Sequence, residues 1–129
     1  MDMAVEALIA QEVALHTGDF SPQGLANVGW AFATVGLRHQ RLMDAISKAL
    51  QDGGASNWTQ QNMANIMWAF AKLLVQPSRE SVEAIAWDVV MTVRAWSALN
   101  LANMTWAFAK LTVRHTDFFD AVEGECLQK

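Results

Sequence analysis

Basic residues are scarce in this chain: nine Lys and Arg stand against 13 Asp and Glu, a formal charge of −4. Composition alone therefore supplies no dense cationic patch, the usual source of nucleic-acid affinity. A single cysteine, Cys126, excludes an internal disulfide and leaves no metal-ligand spacing. No apolar run approaches the ~18 residues of a membrane-spanning helix. The 53% hydrophobic content is thus expected to be buried against protein, without membrane insertion. Nucleophile motifs, glycine-rich phosphate loops and paired carboxylates are lacking as well. No enzyme activity, catalytic residue, cofactor, metal or small-molecule substrate is expected. His16, His39 and His115 have no carboxylate or cysteine at ligand spacing and read as surface residues. The first basic residue is Arg38, preceded by Asp2, Glu6 and Glu12, so no Arg-rich targeting peptide is visible.

What the chain does contain is a repeat. Trp-Ala-Phe-Ala occurs at 30–33, 68–71 and 106–109, each 38 residues after the last, and three residues before each Trp stands an Asn: Asn27, Asn65 and Asn103. A period of this length is the mark of stacked helical units. Every copy opens on a helix-start signature. Ser21, Thr59 and Ser97 are good N-caps, and Pro22 suits a first helical position. Phe20, Trp58 or Trp96 before the cap pairs with Leu25, Met63 or Leu101 four residues after it, a hydrophobic staple.

These signals predict A helices near 21–37, 59–75 and 97–113. After each, a short turn leads to a B helix, near 41–52, 80–94 and 117–128, with an orphan B helix near 3–16. Inward B positions read Met43, Ile46 and Leu50; Val82, Ile85 and Val89; Phe119, Val122 and Cys126. Val5, Leu8, Ile9 and Val13 play that part in the orphan helix. The second B helix is displaced by one residue at an insertion near Pro77, and 51–57 is the clearest loop. The fold expected is all-α: an α-solenoid of antiparallel helix hairpins, about 3.5 repeats of 38 residues and seven helices. It forms one domain, with the orphan helix at 1–19 and repeats at 20–57, 58–95 and 96–129, the last truncated.

Unrolled at about 100° per residue, helix A gathers Gln23, Gly24, Asn27, Ala31, Thr34 and Arg38 into one polar sector. The remaining arc, Trp30 and Phe32 included, is apolar or small and is expected to pack against neighbouring repeats. Asn is a poor helix former, so a mid-helix column of three needs a cause. Two are open: an inter-repeat ladder of amide hydrogen bonds, or contact with RNA. Lys72 and Lys110 share the sector, with Arg38 and Arg114 at its far end. The A helices contain no acid, whereas most Asp and Glu fall on B helices, so the chain has a mildly basic A side and an acidic B side.

The pattern aromatic-Ser-Pro-Gln-x-Leu-Ala-Asn-x-x-Trp-Ala-x-Ala at a 38-residue period resembles the octotricopeptide repeat of organellar RNA-metabolism proteins. It is also similar to the helical repeats that accompany RAP domains. The resemblance implies a superhelix holding single-stranded RNA, or rRNA, on its A helices, in a mitochondrion or chloroplast. Asn27, Asn65, Asn103, Lys72, Lys110, Arg38 and Arg114 would then hold the backbone. Gln23, Gln61, Leu99, Gly24, Asn62 and Asn100 would vary between repeats to read bases. The alternative is a structural or adaptor subunit of a large organellar assembly such as a ribosome, docking protein partners at the apolar ends of the stack.

Overall fold

The computed structural model describes residues 3–53 and 57–128. Among them are seven α-helices and no strand: α1 (Met3–Leu15), α2 (Pro22–Thr34), α3 (Gln40–Gly53), α4 (Gln60–Leu73), α5 (Arg79–Thr92), α6 (Ala98–Lys110) and α7 (Thr116–Cys126). The all-α expectation and the helix count are met. Of the expected 51–57 loop, Gly54, Ala55 and Ser56 lie outside the described residues. The helices alternate between two rows: α2 packs on α4 and α4 on α6, while α1 packs on α3, α3 on α5 and α5 on α7.

Local chemistry sets the start of each A helix. Ser21 Oγ accepts the Gly24 N–H at 3.0 Å, Thr59 Oγ1 that of Asn62 at 3.1 Å, and Ser97 Oγ that of Asn100 at 3.1 Å. Each bond satisfies one orphan donor of the first turn. The ends come about three residues earlier than periodicity suggests, because each helix closes through a left-handed residue: Gly36 (φ 74°), Leu74 (φ 55°) and Thr112 (φ 56°). The N–H groups of Leu37, Val75 and Val113 then reach back to the carbonyls of Phe32, Phe70 and Phe108, each at 2.9 Å.

The turn histidines are corrected from surface residues to helix caps. His39 Nδ1 accepts the Leu42 N–H at 3.2 Å and His115 Nδ1 that of Phe118 at 3.0 Å. The His115 side chain is only 9% exposed, with Nε2 3.4 Å from a Glu83 carboxylate oxygen. In the middle repeat Ser78 takes the capping role, accepting the Ser81 N–H at 3.1 Å. The inserted residue there makes α5 start 39 residues after α3 and α7 only 37 after α5, as 79 − 40 and 116 − 79.

Between the rows lies one apolar core, with Met43, Ile46, Leu50, Phe70, Ile85, Met104 and Phe108 inaccessible. Each such side chain contributes about 1.5–3 kcal/mol by leaving water. Gly29 permits the close approach of α2 to α4, since a Cβ there would meet Ile66 Cδ1 at 2.5 Å. Two inward sets differ from expectation. In α7 the buried face is Phe118, Val122 and Glu125, while Phe119 is only half-buried and Cys126 exposed. The ring of Phe118 sits 4.3 Å from that of Phe108, and this contact fixes the rotation of α7. In α1 only Val13 of the expected set is buried, beside Glu6 and Ala10. Val5, Leu8 and Ile9 are exposed because α1 packs mainly on α3 alone.

Candidate nucleic-acid interface

The face of the A row turned away from the B helices gathers one short strip from each of α2, α4 and α6. Gln23, Asn27 and Thr34 are exposed on α2; Gln61 and Lys72 on α4, where Asn65 is half-buried; Leu99 and Lys110 on α6, where Asn103 is half-buried. Regular placement follows from the 38-residue period acting on helices of one register.

Trp30 and Trp106 belong to this face, which corrects their assignment to the core, whereas Trp68 still packs against the core cluster from its rim. Trp30 is 48% exposed, Trp106 43% and Trp68 half-buried. Three residues from Asn27, Trp30 stands only about 60° round the helix from it. By helical spacing Trp30 and Trp68 border small buried side chains of their own helices, Ala26 and Ala33 on α2, Ala64 and Ala71 on α4. The indole of Trp30 leans across the α2–α4 seam and stacks on Trp68, with centroids 6.3 Å apart. Angular position was the signal available in the sequence, and the size of the apolar ring hid it.

The Asn column forms no ladder. Asn65 Oδ1 accepts from Gln61 Nε2 of its own helix at 3.0 Å, and no hydrogen bond among the described residues joins Asn27, Asn65 and Asn103 to one another. The Asn65 amide N–H groups are left for an external acceptor. Lys72 and Lys110 enter no ion pair among the described residues; the ion pairs join His16 to Glu12 and Asp19, and His115 to Glu83. Both ammonium groups stand on helices that carry no Asp or Glu.

Other residues expected on this face are elsewhere. Asn62 is half-buried and Asn100 only 8% exposed. Asn100 lies beside Gln60 and Gln61 at the start of α4, and Gly24 of the first copy is half-buried beside Phe20 and Ser21. Arg38 has a structural partner, as its guanidinium donates to the Leu74 carbonyl at 3.3 Å. Gln76, 38 residues on, donates to the Leu111 carbonyl at 2.9 Å, so this column ties one turn to the next A helix. Arg114, third in the column, instead lines a cleft of about 430 Å³ with Arg79, Glu83 and His115. The outer face therefore offers indole faces, amides and two ammonium groups. No cluster of metal-ligating side chains occurs among the described residues. No protein-family model, curated protein or solved structure matches the chain.

Proposed function

We propose that this chain is an α-solenoid module that binds single-stranded RNA along the outer face of α2, α4 and α6. The observation that supports it is the coincidence, on one face of helices that carry no Asp or Glu, of Trp30, Trp68 and Trp106 with the Asn column and with Lys72 and Lys110. Indole faces stack with any base, amides meet base edges or sugars, and ammonium groups meet phosphates. Packed helices stand about 8–10 Å apart, whereas duplex bases rise only about 3.4 Å per step. Bases engaging successive A helices must be unstacked from each other, so a single strand suits this face and a duplex does not. The repeat's resemblance to octotricopeptide units supports an organellar setting, mitochondrion or chloroplast, and a binding role without catalysis.

The test is quenching of Trp fluorescence by a 12-nucleotide single-stranded RNA and by its duplex. The single strand should quench and the duplex should not; Asn65→Ala with Lys72→Ala should weaken the effect. No quenching at any attainable RNA concentration sinks the reading.

A second reading rests on a different observation. Val5, Leu8, Ile9 and Leu15 of α1, with Val35 beyond α2, leave one end of both rows apolar and exposed. Such an end suits a protein partner, as in an adaptor subunit of a large organellar assembly such as a ribosome.

A further inference from the structure

At the edge of the outer face, where α4 begins and α5 ends, a cleft of about 680 Å³ opens between the rows, and Gln61 belongs to both. Trp58, Gln60 and Gln61 line it from the start of α4, Asp88 and Thr92 from α5, and Asn100 from α6. Acceptors converge on it. Asn100 Oδ1 is buried with no hydrogen-bond partner, in a side chain more than nine-tenths removed from solvent. The Asp88 carboxylate has no hydrogen bond or ion pair among the described residues. Gln61 has committed its Nε2 to Asn65, which leaves its Oε1. Thr92 has no free donor, since its hydroxyl donates to the Asp88 carbonyl at 2.6 Å while accepting from Trp96 Nε1 at 3.0 Å.

No Lys, Arg or His lines this cleft. A buried acceptor without a donor is costly, and Asp88, half-buried in the same cleft, adds an unpaired carboxylate. Burial alone raises the Asp88 carboxyl above its ordinary value, the behaviour of a group with no counter-charge.

The geometry points to a site for the guanidinium of an arginine carried on a partner protein. Five N–H donors in one plane can serve a carboxylate and the separate amide oxygens of Asn100 and Gln61 together; an ammonium is a single point of charge. Phosphate is disfavoured here, because the lining presents acceptors and one negative group. The site differs in chemistry from the Lys-bearing outer face, with which it shares only Gln61, and it stands whether or not that face binds RNA. Acidic residues on the B helices would steer a basic segment toward it.

The test uses the whole 129-residue chain, isotopically labelled. It is titrated with the peptide Gly-Gly-Arg-Gly-Gly, with the same peptide carrying uncharged citrulline, and with a short single-stranded RNA. The Asn100 side-chain amide and the Trp58 and Trp96 indole N–H signals should shift saturably with the arginine peptide alone. Asp88→Asn, which keeps the shape and the backbone bond to Thr92, should weaken this binding about tenfold or more, the lower bound for a charged hydrogen bond. Equal shifts with citrulline, no saturable shift, an unchanged affinity in Asp88→Asn, or shifts caused by RNA in place of the peptide would each overturn the assignment. Asn100→Leu is a second variant that should abolish the shifts; should it fail to fold, Asp88→Asn still decides.

Discussion

The indole of Trp30 stacks on that of Trp68 across the α2–α4 seam, with centroids 6.3 Å apart and planes 30° from parallel. Trp30 is exposed, whereas Trp68 is half-buried and packs against the core from its rim. Trp68→Ala should therefore cost about 1–2 kcal/mol, the aromatic pairing plus part of its apolar burial. Trp96, 1% exposed and bonded through Nε1 to Thr92, is the proper core control. Trp96→Ala should cost about 3–5 kcal/mol. Urea denaturation of both variants checks the contrast, and equal losses would make Trp68 as much a core residue as Trp96.

Asn65 has a single exposed partner within its own helix. A bond of that kind contributes little, and Ala is the better helix former by a few tenths of a kcal/mol. Asn65→Ala should leave stability within about 0.5 kcal/mol of wild type while weakening RNA binding. A loss above about 1 kcal/mol in chemical denaturation would mean a buried role for the amide.

Periodicity carried most of the fold. The caps at Ser21, Thr59 and Ser97, the two-row alternation and the insertion at Pro77 all follow from residues whose local preferences and packing agree. What escaped the sequence shares one physical cause: side chains whose partner is chosen by three-dimensional approach and not by spacing. His39 and His115 look like free turn residues until their rings meet the N–H groups of Leu42 and Phe118. Arg38 looks like a free cation until the turn brings it to the Leu74 carbonyl. Phe118 and Phe119 are equivalent by composition, and only the contact with Phe108 selects between them. On the candidate face the Asn and Lys columns are legible, whereas the hydrophobicity of Trp30 and Trp106 points inward and only their angular position points out.

The left-handed cap column gives a test of backbone strain. Gly36 occupies it without penalty in the first repeat, whereas Thr112 is β-branched at φ 56°. An L-residue in this region costs roughly 1–2 kcal/mol, partly offset by the greater unfolded-state freedom of glycine. Thr112→Gly should stabilise the chain by about 1 kcal/mol, seen as a higher melting temperature. A lower one would show that the Thr112 hydroxyl, which donates to the Leu111 carbonyl at 2.6 Å, outweighs the strain.

Asp88 supplies a pH-dependent prediction. Burial raises its carboxyl above 3.8, so the folded state binds this proton more readily than the unfolded one. The charged form is the disfavoured one, and it dominates above the raised value. Asp88→Asn should accordingly raise the melting temperature near neutrality. The gain should shrink as pH falls toward 3.8, below which wild-type Asp88 is protonated in both states. Thermal melts of the two proteins across this range check the convergence; a gain that grew on acidification would reverse the assigned cause.

The last prediction concerns affinity. One contacted base on each of three A helices, at about 1–3 kcal/mol per base, gives about 3–9 kcal/mol before ordering costs. That corresponds to dissociation constants from millimolar or weaker down to about micromolar. A net charge of −4 opposes approach, which places the isolated chain toward the weak end at physiological salt. Each phosphate contact on a single strand adds about 0.7 to the slope of log affinity against log salt. Lys72→Ala with Lys110→Ala should therefore reduce that slope by about 1.4 and weaken binding to all sequences alike. Tight, nanomolar binding that survives the double substitution would mean that RNA lies on another surface. An unchanged salt slope with weak binding would instead assign the phosphate contacts to Arg79 and Arg114 at the far rim, the cationic side chains lining the 430 Å³ cleft.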